Sequence, residues 1–234
     1  MPTYLHRLSE QRGQADHGWL RAKHSFSFGN YYDPKIMGFR ALRVINEDRI
    51  AGGGGFPTHP HDNMEIVTYI LDGALEHRDS IGSGAVIRPG EAQRMSAGTG
   101  IRHSEFNASE SDPVHLLQIW LLPNQRDIAP GYEQKTLPAV AEGESRLDIV
   151  AAPDAPDSAV TIHSDASIAR AVLAPGGALT APITRGHAWV QVAKGNLVVD
   201  GHELRQGDGL AVKDIGTLAL SSDDGAEALV FDLA

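Results

Sequence analysis

The sequence predicts an all-β protein built as two barrels in one chain. Three observations carry that expectation. The 234 residues include 25 glycines and 13 prolines, a share that favours many turns over long helices. From about residue 39 the apolar residues come in short runs divided by turn residues, and no segment is assigned as a helix. A rhythm of strand, Gly turn, strand, Gly turn, strand recurs in both halves, in YILDGALEHRDS with AVIRPGEA and again in WVQVAKGNLVVDGHELRQGDGLAV. Two related barrels leave that kind of weak internal repeat.

Taken in order, FRALRVIN (39–46) is rich in apolar and β-branched residues and leads into a loop at Gly52-Gly53-Gly54-Gly55. MEIVTYIL (64–71) is a buried strand ending at Asp72-Gly73, a hairpin signal that makes GALEHRDS (73–80) its expected returning partner. Turns follow at Ile81-Gly82-Ser83-Gly84 and Arg88-Pro89-Gly90-Glu91, then QRMSAG (93–98) and the segment leading to His103. VHLLQIWLL (114–122) is too short and too β-like for a helix.

Residues 123–145 are polar, hold three prolines and follow neither period, which predicts an inter-domain connector. The expected domains are therefore 1–134 and 135–234. In the second, LDIVAA (147–152), AVTIHS (159–164), ARAVLA (169–174), HAWVQVAKGNLVVDG (187–201), GLAV (209–212), TLALS (217–221) and EALVFDL (227–233) are strand candidates, with turns at Lys194-Gly195-Asn196 and Asp200-Gly201.

Composition narrows the function. No cysteine is present, which excludes disulfides, thiol catalysis, zinc ribbons and iron–sulfur ligation. A formal net charge of −10 without a basic block argues against nucleic-acid binding. The first residues, MPTYLHRLSEQRGQADHGW, lack the apolar run of a signal peptide, and no stretch approaches the ~20 apolar residues that span a bilayer, so a soluble cytoplasmic protein with no membrane partner is expected.

Five of the eleven histidines fall between residues 59 and 115. In His59-Pro60-His61 the two rings stand at i and i+2, so on an extended segment both project to one face. His103-Ser104-Glu105 repeats that geometry. A lone HxH is more often a solvated pair; two dyads with the same Gly/Pro punctuation, 44 residues apart, leave room for the intervening strands of a barrel. Lining one interior, they would supply three imidazoles and a carboxylate, a set suited to a divalent first-row metal with open positions.

The strings GFPTHPHDNME (55–65), LDGALEHRDS (71–80), RPGEAQRMSAGTGIRHSEFN (88–107) and LLQIWLLP (116–123) resemble the pirin family of bicupins, and HSFSFGNYYDPKIMGFRALRVINEDRI (24–50) resembles its amino-terminal stretch. The likeness runs nearly the whole length and is greatest to bacterial pirin-like quercetin 2,3-dioxygenases. It implies two cupin-type barrels, each a jelly-roll-like double-stranded β-helix, with one metal in the first only, held by His59, His61, His103 and Glu105. Other cupins take their carboxylate just after the HxH, which makes Glu65 the rival ligand here. No HxH occurs after residue 105; His187 and His202 are isolated, and His77 and His115 are expected at the surface or behind the ligands. Trp120, Trp189 and Tyr31-Tyr32 are read as core or inter-domain packing.

The enzymes so resembled open flavonols such as quercetin with molecular oxygen, releasing carbon monoxide and leaving a depside. The likeness therefore implies a small aromatic, flavonol-like substrate together with oxygen. Glu105 would serve as ligand and as catalytic base, taking the proton of the flavonol hydroxyl. Iron(II) is the expected metal, since nitrogen and oxygen ligands with open positions favour oxygen chemistry; manganese, cobalt, nickel, copper or zinc also suit the set. The alternative is a metal- or redox-responsive protein-binding pirin, similar to a transcription co-regulator, whose partner would be another protein. A zinc hydrolase is a third reading, for which the sequence offers no substrate clamp.

Overall fold

Alternation along the strands explains the architecture. In the computed structural model, which describes residues 1–234, Glu65–Asp72 is buried along nearly its whole length although its side chains point alternately to opposite faces. Ile66, Thr68 and Ile70 face the interior of the first barrel, while Val67, Tyr69 and Leu71 join an apolar cluster shared with the second. An apolar run without polar relief is what a strand covered on both faces requires. Val114–Leu121 divides in the same way, with Leu117, Ile119 and Leu121 in the shared cluster and Gln118 turned inward.

The first barrel is made of two sheets. A seven-stranded sheet runs in the order Gly131–Thr136, Glu91–Ser96, Glu65–Asp72, Val114–Leu121, Leu42–Ile50, Leu20–His24, Gly13–Asp16. Opposite it lies a four-stranded sheet, in the order Gly55–His61, Ile101–Asn107, Leu75–Asp79, Gly84–Ile87. The second barrel is built from a ten-stranded sheet with the path Thr3–Arg7, Gly209–Lys213, His187–Val199, Ala226–Leu233, Ala166–Leu173, Arg146–Ala152, Val160–Thr161. Gly177–Pro182, Thr217–Ser222 and His202–Arg205 complete it through Thr217–Ser222 and the far half of His187–Val199. The chain is thus all-β, with two cupin-type barrels and no α-helix. No helix is long and apolar enough to cross a membrane.

The barrels pack through a cluster of 23 buried residues drawn from both, including Phe26, Ile45, Tyr69 and Leu117 from the first and Ile168, Trp189, Leu229 and Phe231 from the second. Polar contacts reinforce this seam: Tyr69 Oη donates to Glu227 Oε1 at 2.5 Å, and Ser9 N to Asp208 Oδ1 at 2.7 Å. Arg12, fully buried at its side chain, donates to Glu47 Oε2 at 2.7 Å and to the Gly207 carbonyl at 3.1 Å.

Several expectations are corrected. Asp72-Gly73 does not close a hairpin. Glu65–Asp72 pairs with Glu91–Ser96 and Val114–Leu121, whereas Leu75–Asp79 pairs with Ile101–Asn107 in the opposite sheet. The turn carries the chain from one sheet to the other, and Gly73, at φ +77°, passes so close to Pro113 that a Cβ would lie 2.8 Å from its carbonyl oxygen. Nor is Lys194-Gly195-Asn196 a turn: it is a bend within His187–Val199, with a register shift between Val192 and Lys194, that moves one strand from one sheet to the other.

The connector expected at 123–145 contains a strand, Gly131–Thr136, which pairs with Glu91–Ser96 across the anticipated boundary at 134. Its half-buried edge position tolerates the polar sequence GYEQKT that hid it. Conversely, Thr3–Arg7 pairs with Gly209–Lys213, so residues placed in the first domain add a strand to the second. Tyr32 is 71% exposed and takes no part in packing, while Tyr31 lies over Gly13 and accepts from Arg7 Nη2 at 2.9 Å.

Candidate metal centre

His59 and His61 stand on Gly55–His61, and His103 and Glu105 on the neighbouring antiparallel strand Ile101–Asn107. The register sets His103 directly opposite His59, with a shift between His103 and Glu105 that places Glu105 opposite Phe56. Such a bulge re-aims a side chain where regular pairing would not. The three rings converge, with centroids 4.8 Å apart for His59 and His61, 4.5 Å for His59 and His103, and 4.9 Å for His61 and His103. A nitrogen from each lies within 4.8 Å of the other two. Glu105, fully buried, groups within the same limit with His103 and His77.

Hydrogen bonds fix the tautomers. His59 Nδ1 is 2.8 Å from the Pro57 carbonyl, which can only accept, so Nδ1 carries the proton and Nε2 keeps its lone pair. Behind His103 a second relay forms. His77 Nε2 donates to Asp79 Oδ2 at 3.1 Å, leaving His77 Nδ1 as an acceptor for His103 Nδ1 at 3.5 Å. His103 Nε2 is then the free lone pair, and it is buried without any protein partner. A buried nitrogen without a partner is costly unless something outside the chain satisfies it. With two further imidazoles converging on it, the donor set fits a single divalent cation.

Electrostatics agree with that fit. Burial first, and then His59, His61 and His77, lower the pKa of His103 to about 2. Burial and His59, with Asp62 opposing, bring His61 to about 4. Both rings are therefore neutral at pH 7, as coordination requires. Burial raises Glu105 to about 7, against Gln118 and Thr68, whose side chains donate to its two oxygens at 2.7 Å and 3.5 Å.

The cluster opens on a cavity of about 420 Å³ between the two sheets, within the range of small-molecule sites. Phe28, Phe56, Pro57 and Leu20 supply apolar walls. The seven-stranded sheet contributes His24, Asn46, Asp48, Gln118 and Trp120. His24 Nδ1 lies 2.8 Å from Asn46 Oδ1. Asp48 is buried, its Oδ1 has no hydrogen-bond partner, and burial and the charge of Glu105 raise its pKa to about 7 against the pull of Arg12.

The other sequence candidates lie elsewhere. Glu65 is buried, but its Oε2 accepts from Ser96 Oγ at 2.9 Å and from the His163 backbone N at 3.1 Å, which ties it to the second barrel. His115 Nε2 bonds Glu47 Oε1 at 2.9 Å on the opposite face of the sheet. His187 contacts Arg40, and His202 pairs with His6 at the surface. Of the two places expected for His77, the structure gives the one behind the ligands: it is fully buried, stacked on Tyr132 with centroids 4.8 Å apart, and touches His103. The alternation in Leu75-Glu76-His77-Arg78-Asp79 carried that signal, since Leu75, His77 and Asp79 share the inward face. Trp120 belongs to the cavity rather than to the barrel seam, edge-on to His61 at 4.9 Å and to Phe28 at 5.3 Å, while Trp189 packs in the seam against Phe26.

The family described as Pirin matches residues 5–121, and the one described as Quercetinase C-terminal cupin domain matches residues 149–233. A curated quercetin 2,3-dioxygenase of Escherichia coli (strain K12) is 46% identical over 231 residues, covering 98% of each chain. The crystal structure of YhhW from Escherichia coli has a TM-score of 0.94 at 45% identity, over 99% of this chain and 98% of that one. A second structure, of the bacterial pirin YhhW in complex with nickel(II), has a TM-score of 0.92 at 44% identity and covers 99% of both chains.

Proposed function

The chain belongs to the pirin family, and on that premise we propose that it is a metal-dependent dioxygenase of the quercetin 2,3-dioxygenase type, holding one divalent ion in its first barrel. The observation that carries this reading is the convergence of three imidazoles, one of them with a buried and unpartnered Nε2, beside a ligand-sized cavity lined by the other two. His59, His61, His103 and Glu105 are the proposed ligands. Iron(II) is the proposed metal, because this nitrogen and oxygen set with open positions suits oxygen chemistry; the nickel(II) complex of the relative supports a divalent ion of this class. Held by these residues, such a metal would supply Lewis-acid and oxygen chemistry to a flavonol substrate.

The chain's own groups do the rest. Phe28, Phe56 and Trp120 offer flat apolar surfaces to an aromatic ligand and keep water from the cavity. Gln118 Nε2 holds Glu105 Oε2 at 2.7 Å, so Oε1, with only the long Thr68 contact, is the oxygen that takes the proton of the flavonol hydroxyl. A carboxylate oxygen so lightly bonded is free to accept a proton. Asp79 and His77 hold the His103 ring in the tautomer that presents Nε2.

The test is incubation of anaerobically purified, iron-loaded protein with quercetin in air, following the flavonol absorbance and carbon monoxide. Consumption with carbon monoxide release, abolished by chelation, supports the reading. Full metal occupancy without turnover overturns it and favours a protein partner.

A further inference from the structure

The cavity carries one polar group that neither the metal cluster nor its supports account for. Asp48 lies on Leu42–Ile50, in the sheet facing the imidazoles, and turns inward with Asn46 while Glu47 between them points to the barrel seam. The residue is only 2% exposed, yet its Oδ1 accepts no hydrogen bond. Its wall neighbours are otherwise occupied: His24 and Asn46 bond each other, and Gln118 is committed to Glu105. On the same wall the Trp120 Nε1 donor is also buried without a partner. Asp48 and Trp120 thus both line the cavity, each with a buried polar atom that nothing from the chain pairs.

Burying a carboxyl without a donor lowers stability, so a purely structural role would predict a bonded Asp48. We propose that Asp48 is a specificity-determining residue: its carboxyl accepts a hydrogen bond from a ring hydroxyl of a polyhydroxylated aromatic ligand whose other end lies at the His59, His61 and His103 cluster. The choice of a flavonol as that ligand rests on the dioxygenase reading. The acceptor role follows from the cavity. A free carboxyl oxygen accepts whether or not the group carries a proton, and a site built to pair a hydroxyl discriminates strongly against a ligand that lacks it.

The experiment compares quercetin with 3-hydroxyflavone, which keeps the hydroxyl and carbonyl of the metal-facing end but lacks the remaining ring hydroxyls. Both are titrated calorimetrically, without oxygen, into metal-loaded wild type, Asp48→Ala and Asp48→Asn. The expected result is a preference of the wild type for quercetin that falls about tenfold or more in Asp48→Ala, with the affinity for 3-hydroxyflavone and the metal content unchanged. Asp48→Asn, which keeps an acceptor oxygen, loses less. Both variants are expected to melt no lower than the wild type, since an unpaired buried carboxyl has been removed. An unchanged preference in both variants overturns the proposal, as does a wild type that prefers neither flavonol or binds neither. A quercetin preference that depends on Asp48 but leads to no consumption in air removes the dioxygenase reading alone.

Discussion

The two barrels share an architecture and differ in what fills them. The interior of the second is closed by a cluster of 17 buried apolar residues, among them Val190, Val192, Leu204, Leu210 and Leu220. The corresponding space in the first is lined by His24, Asn46, Asp48, Thr68, His77, His103, Glu105 and Gln118, all of them buried, with smaller apolar clusters left to either side. One copy of the fold gives up apolar packing for a site, and the other keeps it and shares a broad apolar face with its neighbour. Chemistry and stability are thereby divided between halves of a single molecule.

The sharpest way to break this contrast is to remove a ligand from the first barrel. His61→Ala or Glu105→Ala is expected to lose metal and activity together, with activity down by about a thousandfold or more and the fold retained. Metal analysis, turnover and circular dichroism check it, and retained metal stoichiometry in both variants would remove the proposed set.

Glu47→Gln tests the seam. Its pKa is lowered to about 2, since the hydrogen bonds and charges of His115 and Arg12 outweigh the opposing effect of burial. An acid so lowered contributes stability above its ordinary range near 4.5 and loses it as the pH falls towards 2. The variant should be destabilised by about 3–5 kcal/mol at neutral pH, because Arg12 is left buried and unpaired. Its stability should also fall less steeply than that of the wild type below pH 4.5. Denaturant titrations across that range are the check; parallel pH profiles would refute the assignment.

Leu210→Ala, in the second barrel, should cost about 2–5 kcal/mol while the metal content and the turnover of the folded protein stay as they were. Equal loss of metal would show that the halves are not divided as described. The smallest effect is expected from His202→Ala at the surface, within about 0.5 kcal/mol of the wild type and with no change in metal content.

Much of this contrast was legible in the sequence. The HPH and HSE dyads show which side chains share a face, because alternate residues of a strand point the same way. Polar letters inside apolar runs, Gln118 in VHLLQIWLL and Thr68 in EIVTYIL, point to the interior wall for the same reason. What could not be read was sheet membership. Asp72-Gly73 has the chemistry of a hairpin turn, and only the distant Val114–Leu121 strand decides that the chain crosses to the other sheet. For His77 the sequence left the surface and a place behind the ligands both open, because its partners, Asp79 aside, come from strands tens of residues away. The edge strands Gly13–Asp16 and Gly177–Pro182 lack apolar runs, since each is covered on one side at most.

The pairing of Thr3–Arg7 with Gly209–Lys213 also bears on how the molecule is made. On the ribosome the first of these segments emerges some 200 residues before its partner exists. The first barrel can close around its own strands during synthesis, but the segment ahead of it must wait, unpaired, until Gly209–Lys213 has been made. Contacts so distant along the chain are slow to form, because the loop they close is long. That pairing then clasps the amino-terminal segment onto the second barrel. A shortened chain ending before residue 209 would leave that segment as an open strand edge, which is prone to aggregate.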